Sequence, residues 1–66
     1  MNDPLTQRES QVLQLVCNGH TNKEIGSELA IAATTARQHV KVILQKLHCN
    51  CRAAAAAEAI RRQLAV

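Results

Sequence analysis

An all-α domain of four helices is the architecture this sequence predicts, and three observations predict it. Two strings, Thr6-Gln7-Arg8-Glu9 and Thr21-Asn22-Lys23-Glu24, have the spacing at which a threonine and a glutamate three residues on cap a helix start reciprocally. Between residues 33 and 47 the apolar side chains recur at steps of three and four, the period of a helix with one buried side. From Arg52 onward the chain is dominated by alanine, the strongest helix former.

Each element follows in order. The first helix is expected over residues 7–18, with Val12, Leu13, Leu15 and Val16 on its apolar side. Gly19 then supplies the left-handed conformation that ends a helix without a Cβ clash. The second is expected over residues 22–29, short, with Ile25 and Leu29 one turn apart as a narrow buried stripe. Gly26 lies inside it, where glycine costs about 1 kcal/mol relative to alanine, so its expected use is to let another helix approach closely. After a break at Ala30-Ile31-Ala32 the third helix is expected over residues 33–47, burying Ala36, Val40, Ile43, Leu44 and Leu47. Its other side carries Thr34, Arg37, Gln38, Lys41 and Gln45 and no acid. The fourth is expected over residues 52–64, with Arg61 and Arg62 near the C-terminal end, where the helix dipole favours cations.

A chain of 66 residues supports one domain with one small core and no deep pocket, so function is expected on the surface. With no Phe, Tyr or Trp it lacks the stacking platforms of single-strand and RNA-binding modules, which leaves duplex as the better nucleic-acid partner. Eight Lys and Arg against five acids give a net charge of +3 and a pI near 9.1, a balance suited to a polyanion. The three cysteines are an odd number, and Cys49 and Cys51 stand too close to staple distant segments, so no disulfide framework is expected. His48, Cys49 and Cys51, with Cys17 or His20, make a poor metal site, because no second paired cluster completes four ligands. Cys17 and Cys49 read instead as small core residues, and neither metal nor cofactor is expected. Paired carboxylates, a glycine-rich phosphate loop and a nucleophile motif are all lacking, which argues against an enzyme. No apolar run approaches the ~18 residues of a membrane span and no leader pattern is present, so a cytoplasmic protein without a membrane partner is expected.

The third helix carries the functional signal. Arginine and lysine donate to the O6 and N7 of guanine, and glutamine pairs with the N6 and N7 of adenine, in a major groove that admits one helix. Arg37, Gln38 and Lys41 have that chemistry, on one side of the helix and near its start, where recognition helices meet base edges. Asn22 and Lys23 stand at the start of the second helix, whose free N–H groups and dipole favour a phosphate. The rival reading, from another class, is a helical protein-interaction or dimerisation module in which the alanine-rich fourth helix docks a partner and the third is merely solvated.

Three strings then carry a family resemblance: L-T-x-R-E-x-x-V-L from Leu5, T-N-K-E-I-G from Thr21, and T-A-R-Q-H-V-K-x-I-L-x-K-L from Thr35. Together they closely resemble the LuxR/FixJ-type DNA-binding domain over nearly the whole chain. Sigma-factor region 4 domains share the helix-turn-helix logic, but His39 and the Ile43-Leu44 pair fit the LuxR/FixJ type better. The resemblance implies a single four-helix domain over residues 1–66, with helices two and three as the helix-turn-helix. It further implies a bacterial transcriptional regulator, free-standing or the C-terminal effector part of a larger response or quorum-sensing regulator. On that likeness base contacts fall on Arg37, Gln38 and Lys41, and phosphate contacts on Asn22, Lys23, Thr35 and His39, with Lys46 a weaker one. A homodimer surface falls on Ala54, Ala57, Glu58 and Arg61 of the fourth helix. The implied partners are double-stranded promoter or operator DNA, an inverted repeat bound by two copies, and RNA polymerase as a further candidate.

The sequence departs from the family pattern at helix ends. Ala32 and Ala33 stand where a capping serine and an acid are usual, so the third helix should start without a side-chain cap, a loss of ~1 kcal/mol. Thr34 replaces a frequent Gly, Ala36 a frequent Val and His48 another frequent Gly. Cys51 replaces a usual Ser before the fourth helix, where Asn50 is a second candidate cap.

Overall fold

The computed structural model describes residues 5–62 and holds four helices: α1 (Gln7–Cys17), α2 (Asn22–Leu29), α3 (Ala33–Lys46) and α4 (Arg52–Arg62). The starts agree with the sequence expectation, and the first and third helices stop one residue earlier, because Asn18 and Leu47 serve as C-caps. The expected extension of the fourth helix to residue 64 lies outside the described residues.

Both capping boxes form. Thr6 Oγ1 accepts from Glu9 N–H at 3.1 Å while Glu9 Oε1 accepts from Thr6 N–H at 2.9 Å. Thr21 and Glu24 repeat the exchange at 3.1 and 2.7 Å. The third helix has Ala32 as its N-cap with no side-chain cap bond, as its sequence implies. Cys51, not Asn50, occupies the residue before α4, and its carbonyl accepts from Ala55 N–H at 3.0 Å.

Three helices end in one left-handed turn. Gly19 takes φ +86°, with Gly19 N–H donating to Val16 O and His20 N–H to Leu15 O, the paired bonds that satisfy the last carbonyls of α1. Ala30 and His48 adopt the same conformation at φ 58° and 56° without being glycine. After α2, Ile31 N–H returns to Gly26 O at 2.9 Å; after α3, Cys49 N–H returns to Leu44 O at 2.9 Å. The missing glycine at His48 therefore leaves the turn intact, at a steric cost of roughly 1–2 kcal/mol per such residue.

The core is aliphatic. Val12, Leu13 and Val16 of α1, Ile25 of α2, Ala36, Val40 and Ile43 of α3, Leu47, and Ala55 and Ala59 of α4 are all buried. Leu15, Leu29 and Leu44, together with Cys17 and Cys49, are half-buried against that cluster. Helix α2 packs chiefly on α3, while α4 packs chiefly on α1 and closes the far side. Alanine at both α4 core positions lets that helix lie close, since each removes only one methyl group from water.

Gly26 has a different use from the one expected of it. A Cβ at this position would stand 2.6 Å from Ile31 O and 3.3 Å from Ala32 C and Ala33 N. What passes close is the backbone of the turn leading into α3, not the face of another helix. Gly26 thus sets how tightly α2 and α3 are joined.

One ion pair ties the ends together. Glu9, 7 % exposed, accepts from Lys46 Nζ at 2.8 Å through the oxygen that also takes Thr6 N–H, so the start of α1 is bonded to the end of α3. Burial pushes the Glu9 carboxyl up, but the Lys46 and Thr6 hydrogen bonds and the Lys46 charge together outweigh it and hold the group below its ordinary value. A carboxylate depressed in this way contributes stability above its unfolded pKa, and the contribution is lost as pH falls through the folded value. The Glu9→Gln variant should therefore be less stable at neutral pH by about 1–3 kcal/mol, because it leaves a partly buried ammonium without its counter-charge. In denaturant titrations from pH 7 downward, the gap to wild type should close below about pH 4.5, the carboxylate's ordinary value; a constant gap would show that the charge is not what matters.

Gly26 and Ala30, four residues apart, should respond in opposite senses. Gly→Ala inside an open helix gains about 1 kcal/mol, but Gly26→Ala should lower stability, because backbone must move to admit the methyl. Ala30→Gly should raise it by up to ~1 kcal/mol, relieving the left-handed strain at some cost in unfolded-chain entropy. Thermal melts of the two variants measure both signs.

Candidate nucleic-acid interface

The turn over Gly26 delivers the chain into α3, and the rotation of α3 then follows from its buried stripe. Ala36, Val40, Ile43 and Leu47 are 0 %, 6 %, 2 % and 4 % exposed, so the helix has one orientation against the core. At ~100° per residue the opposite side centres on Gln38 and Gln45, with Thr34 and Lys41 beside them and Arg37 on the flank. All five are exposed, as is Thr35. The structure thus brings Arg37, Gln38 and Lys41 together around one shallow depression. Thr34, Thr35, Gln38, His39 and Val42 line a second, adjoining one. His39 is half-buried at the edge of this surface.

No acid lies on α3, so Arg37 and Lys41 meet no carboxylate on their own helix. Three carboxylates elsewhere, those of Glu9, Glu24 and Glu58, are engaged. Glu24 is held below its ordinary value, first by the Thr21 backbone N–H and then by the Thr21 hydroxyl and the charge of His20. Glu58 is lowered by Arg61 and then Arg62, whose guanidinium groups both bond it. Of the positive charges on α3, Lys46 is paired with Glu9, while Arg37 and Lys41 lie on the side that carries no acid.

At the start of α2 the capping box uses the N–H groups of Thr21 and Glu24. Of the four amides a helix start leaves without intrahelical partners, those of Asn22 and Lys23 remain for an outside anion. The Lys23 side chain is exposed, and Asn22 is half-buried. Arg52 Nη1 donates to Asn22 Oδ1 at 2.5 Å and Arg52 Nη2 to His20 O at 2.5 Å. That clamp fixes the Asn22 carboxamide with its oxygen occupied, leaving its N–H groups as donors. Sequence reasoning missed Arg52, because nothing local marks a partner 30 residues away.

Lys46, the weakest of the expected phosphate contacts, is placed differently from the rest. Its side chain is only 19 % exposed and its ammonium is on Glu9, so its main role is to hold two helix ends together. Val42 fills one of the two variable positions of the third string, and it is exposed beside Gln38 on α3. Its spacing of four from Gln38 was the available signal.

On α4, Ala54 and Ala57 are exposed, Glu58 is half-buried beneath its two arginines, and the Arg61 side chain is 75 % exposed. Ile60, not foreseen, is 67 % exposed and lies one turn beyond Ala57, so Ala53, Ala57 and Ile60 form a small apolar stripe facing outward. Cys51 is exposed beside its start. Among the described residues no group of three or more His, Cys, Asp or Glu is placed to hold a metal ion, and no helix is long and apolar enough to cross a membrane.

Comparison with known proteins adds independent evidence. The family model for GerE, described as bacterial regulatory proteins of the luxR family, matches residues 3–59. The solved structure of the transcription factor GerE superposes with a TM-score of 0.86 at 32 % identity, covering 94 % of this chain and 92 % of that one. At this identity and coverage the likeness extends beyond a shared arrangement of helices to the whole domain. The chain therefore belongs to the luxR family of bacterial regulatory proteins and has the helix-turn-helix fold of its DNA-binding transcription factors.

Proposed function

We propose that this domain reads a specific sequence in double-stranded DNA by laying α3 in the major groove, and so directs transcription from a promoter or operator in the cytoplasm. The carrying observation is the exposure of Arg37, Gln38 and Lys41 on one acid-free side of a 14-residue helix whose other side is anchored in the core. In this reading Arg37 and Lys41 donate to guanine and Gln38 pairs with adenine. Asn22, Lys23, Thr35 and His39 meet phosphates and set the register without reading sequence. Lys46 is left out of that set because Glu9 holds it.

The same reading makes the domain the effector part of a larger regulator of the response or quorum-sensing kind, acting as two copies on an inverted repeat. Two-fold symmetry in the protein matches half-sites about one helical turn apart. The stripe of Ala53, Ala57 and Ile60, with Ala54, Glu58 and Arg61 beside it, is the surface for the second copy. Its small side chains permit close approach of two helices, and Ile60 supplies the largest apolar area on it. RNA polymerase is a further partner for surfaces left free on DNA.

Selection from a random duplex pool should recover a motif with two-fold symmetry. On that site, Arg37→Ala and Lys41→Ala should each cost roughly 1–3 kcal/mol by fluorescence anisotropy and relax specificity at one position. Wild-type affinity in both variants would remove them from the interface. Binding should also weaken steeply with salt, log K falling by about 0.9 per phosphate neutralised for each unit of log salt, and Lys23→Ala should flatten that slope by about one. Salt-insensitive association would favour the protein-interaction reading instead.

Ala57→Glu and Ile60→Glu should leave binding to an isolated half-site unchanged while abolishing cooperative filling of the pair. Gel shifts on one- and two-half-site duplexes distinguish these; equal loss on both would place the residues in DNA contact or in folding.

A further inference from the structure

We propose that Val42 is a specificity-determining residue that reads the C5-methyl group of a thymine in the major groove, within about two base steps of the base read by Gln38. The inference rests on the groove-binding reading above and extends it to an apolar contact.

Among the described residues Val42 and Ile60 are the large hydrophobic side chains that stand exposed, at 37 % and 67 %. Ile60 lies on the outer stripe of α4, with other apolar side chains around it. Val42 has no such company: its neighbours on the working side of α3 are Thr34, Thr35, Gln38 and His39, with which it lines one open depression. In helical projection Val42 stands ~40° from Gln38 and one turn further along, about 6 Å in axial rise. With base pairs stacked at about 3.4 Å, a helix that puts Gln38 on one base places Val42 within about two steps of it.

The groove wall there presents a single apolar group. Of the four bases only thymine carries a methyl on its major-groove edge, so a branched aliphatic side chain held at that depth distinguishes thymine from every other base. Val42 has no hydrogen-bonding group, and every other base lacks the methyl that it would bury. Its backbone is fixed by the flanking core residue Ile43 and by Val40, 2 % and 6 % exposed, so little ordering remains to be done on binding.

The test is a deoxyuridine scan of the selected operator, which deletes one methyl at a time without altering hydrogen bonding. At one thymine, within two steps of the position where Gln38→Ala relaxes base preference, wild type should lose roughly three- to fivefold in affinity, the equivalent of one buried methyl. Val42→Ala should bind the normal operator more weakly by a similar factor and be indifferent to uridine at that position. Circular dichroism should show Val42→Ala to be as helical as wild type, because alanine is the better helix former. Equal sensitivity of wild type and Val42→Ala at every thymine, or none in either, would overturn the Val42 assignment while leaving groove binding in place. Failure of the pool to yield any preferred duplex would overturn both.

Discussion

The rotation of α3 about its own axis is the constraint on which the rest depends. Four residues fix it, Ala36, Val40, Ile43 and Leu47, each nearly inaccessible to water and each bound to one side of the helix by the 3.6-residue repeat. A turn of the helix by ~100° would bring Arg37 toward the core and Val40 toward solvent, exchanging a buried methyl pair for a buried charge. The hydrophobic core therefore does more than stabilise the domain. It aims the polar side.

Both ends of that helix are held by devices drawn from other elements. At the start, the turn runs against the bare Cα of Gly26, so α3 leaves α2 at one distance and in one direction. At the far end Lys46 reaches the Glu9 carboxylate, which is simultaneously half of the α1 capping box. Glu9 thus satisfies a local backbone amide and a distant ammonium with the same oxygen, a saving suited to a core of this size, where few polar groups can be hidden without partners. The consequence for electrostatics is selective. Lysine at one end of α3 is drawn into structure, whereas Arg37 and Lys41 stay on the open side with no acid on their helix.

The fourth helix meets both the core and the start of α2. Its inner alanines, Ala55 and Ala59, dock on the core; its outer stripe faces solvent. Its first residue, Arg52, bonds His20 O and Asn22 Oδ1, and so reaches the start of the helix-turn-helix. A second copy packed on α4 would therefore press on an element that also holds the α2 terminus in place.

Helix number, helix starts, both capping boxes, the buried stripe and the exposed Arg37, Gln38 and Lys41 were legible in the sequence, because each rests on spacings of three or four residues that the chain displays directly. Gly19 was legible for the same reason: glycine announces a positive φ. Only the tertiary structure decided the left-handed turns at Ala30 and His48, the engagement of Lys46 by Glu9, the Arg52 clamp on Asn22 and what passes over Gly26. These depend on groups brought together across the fold, from distant segments or from a chain folded back on itself. Local propensity governs where a helix begins and which side is apolar; the distance between two side chains 37 residues apart exists only after the core has closed.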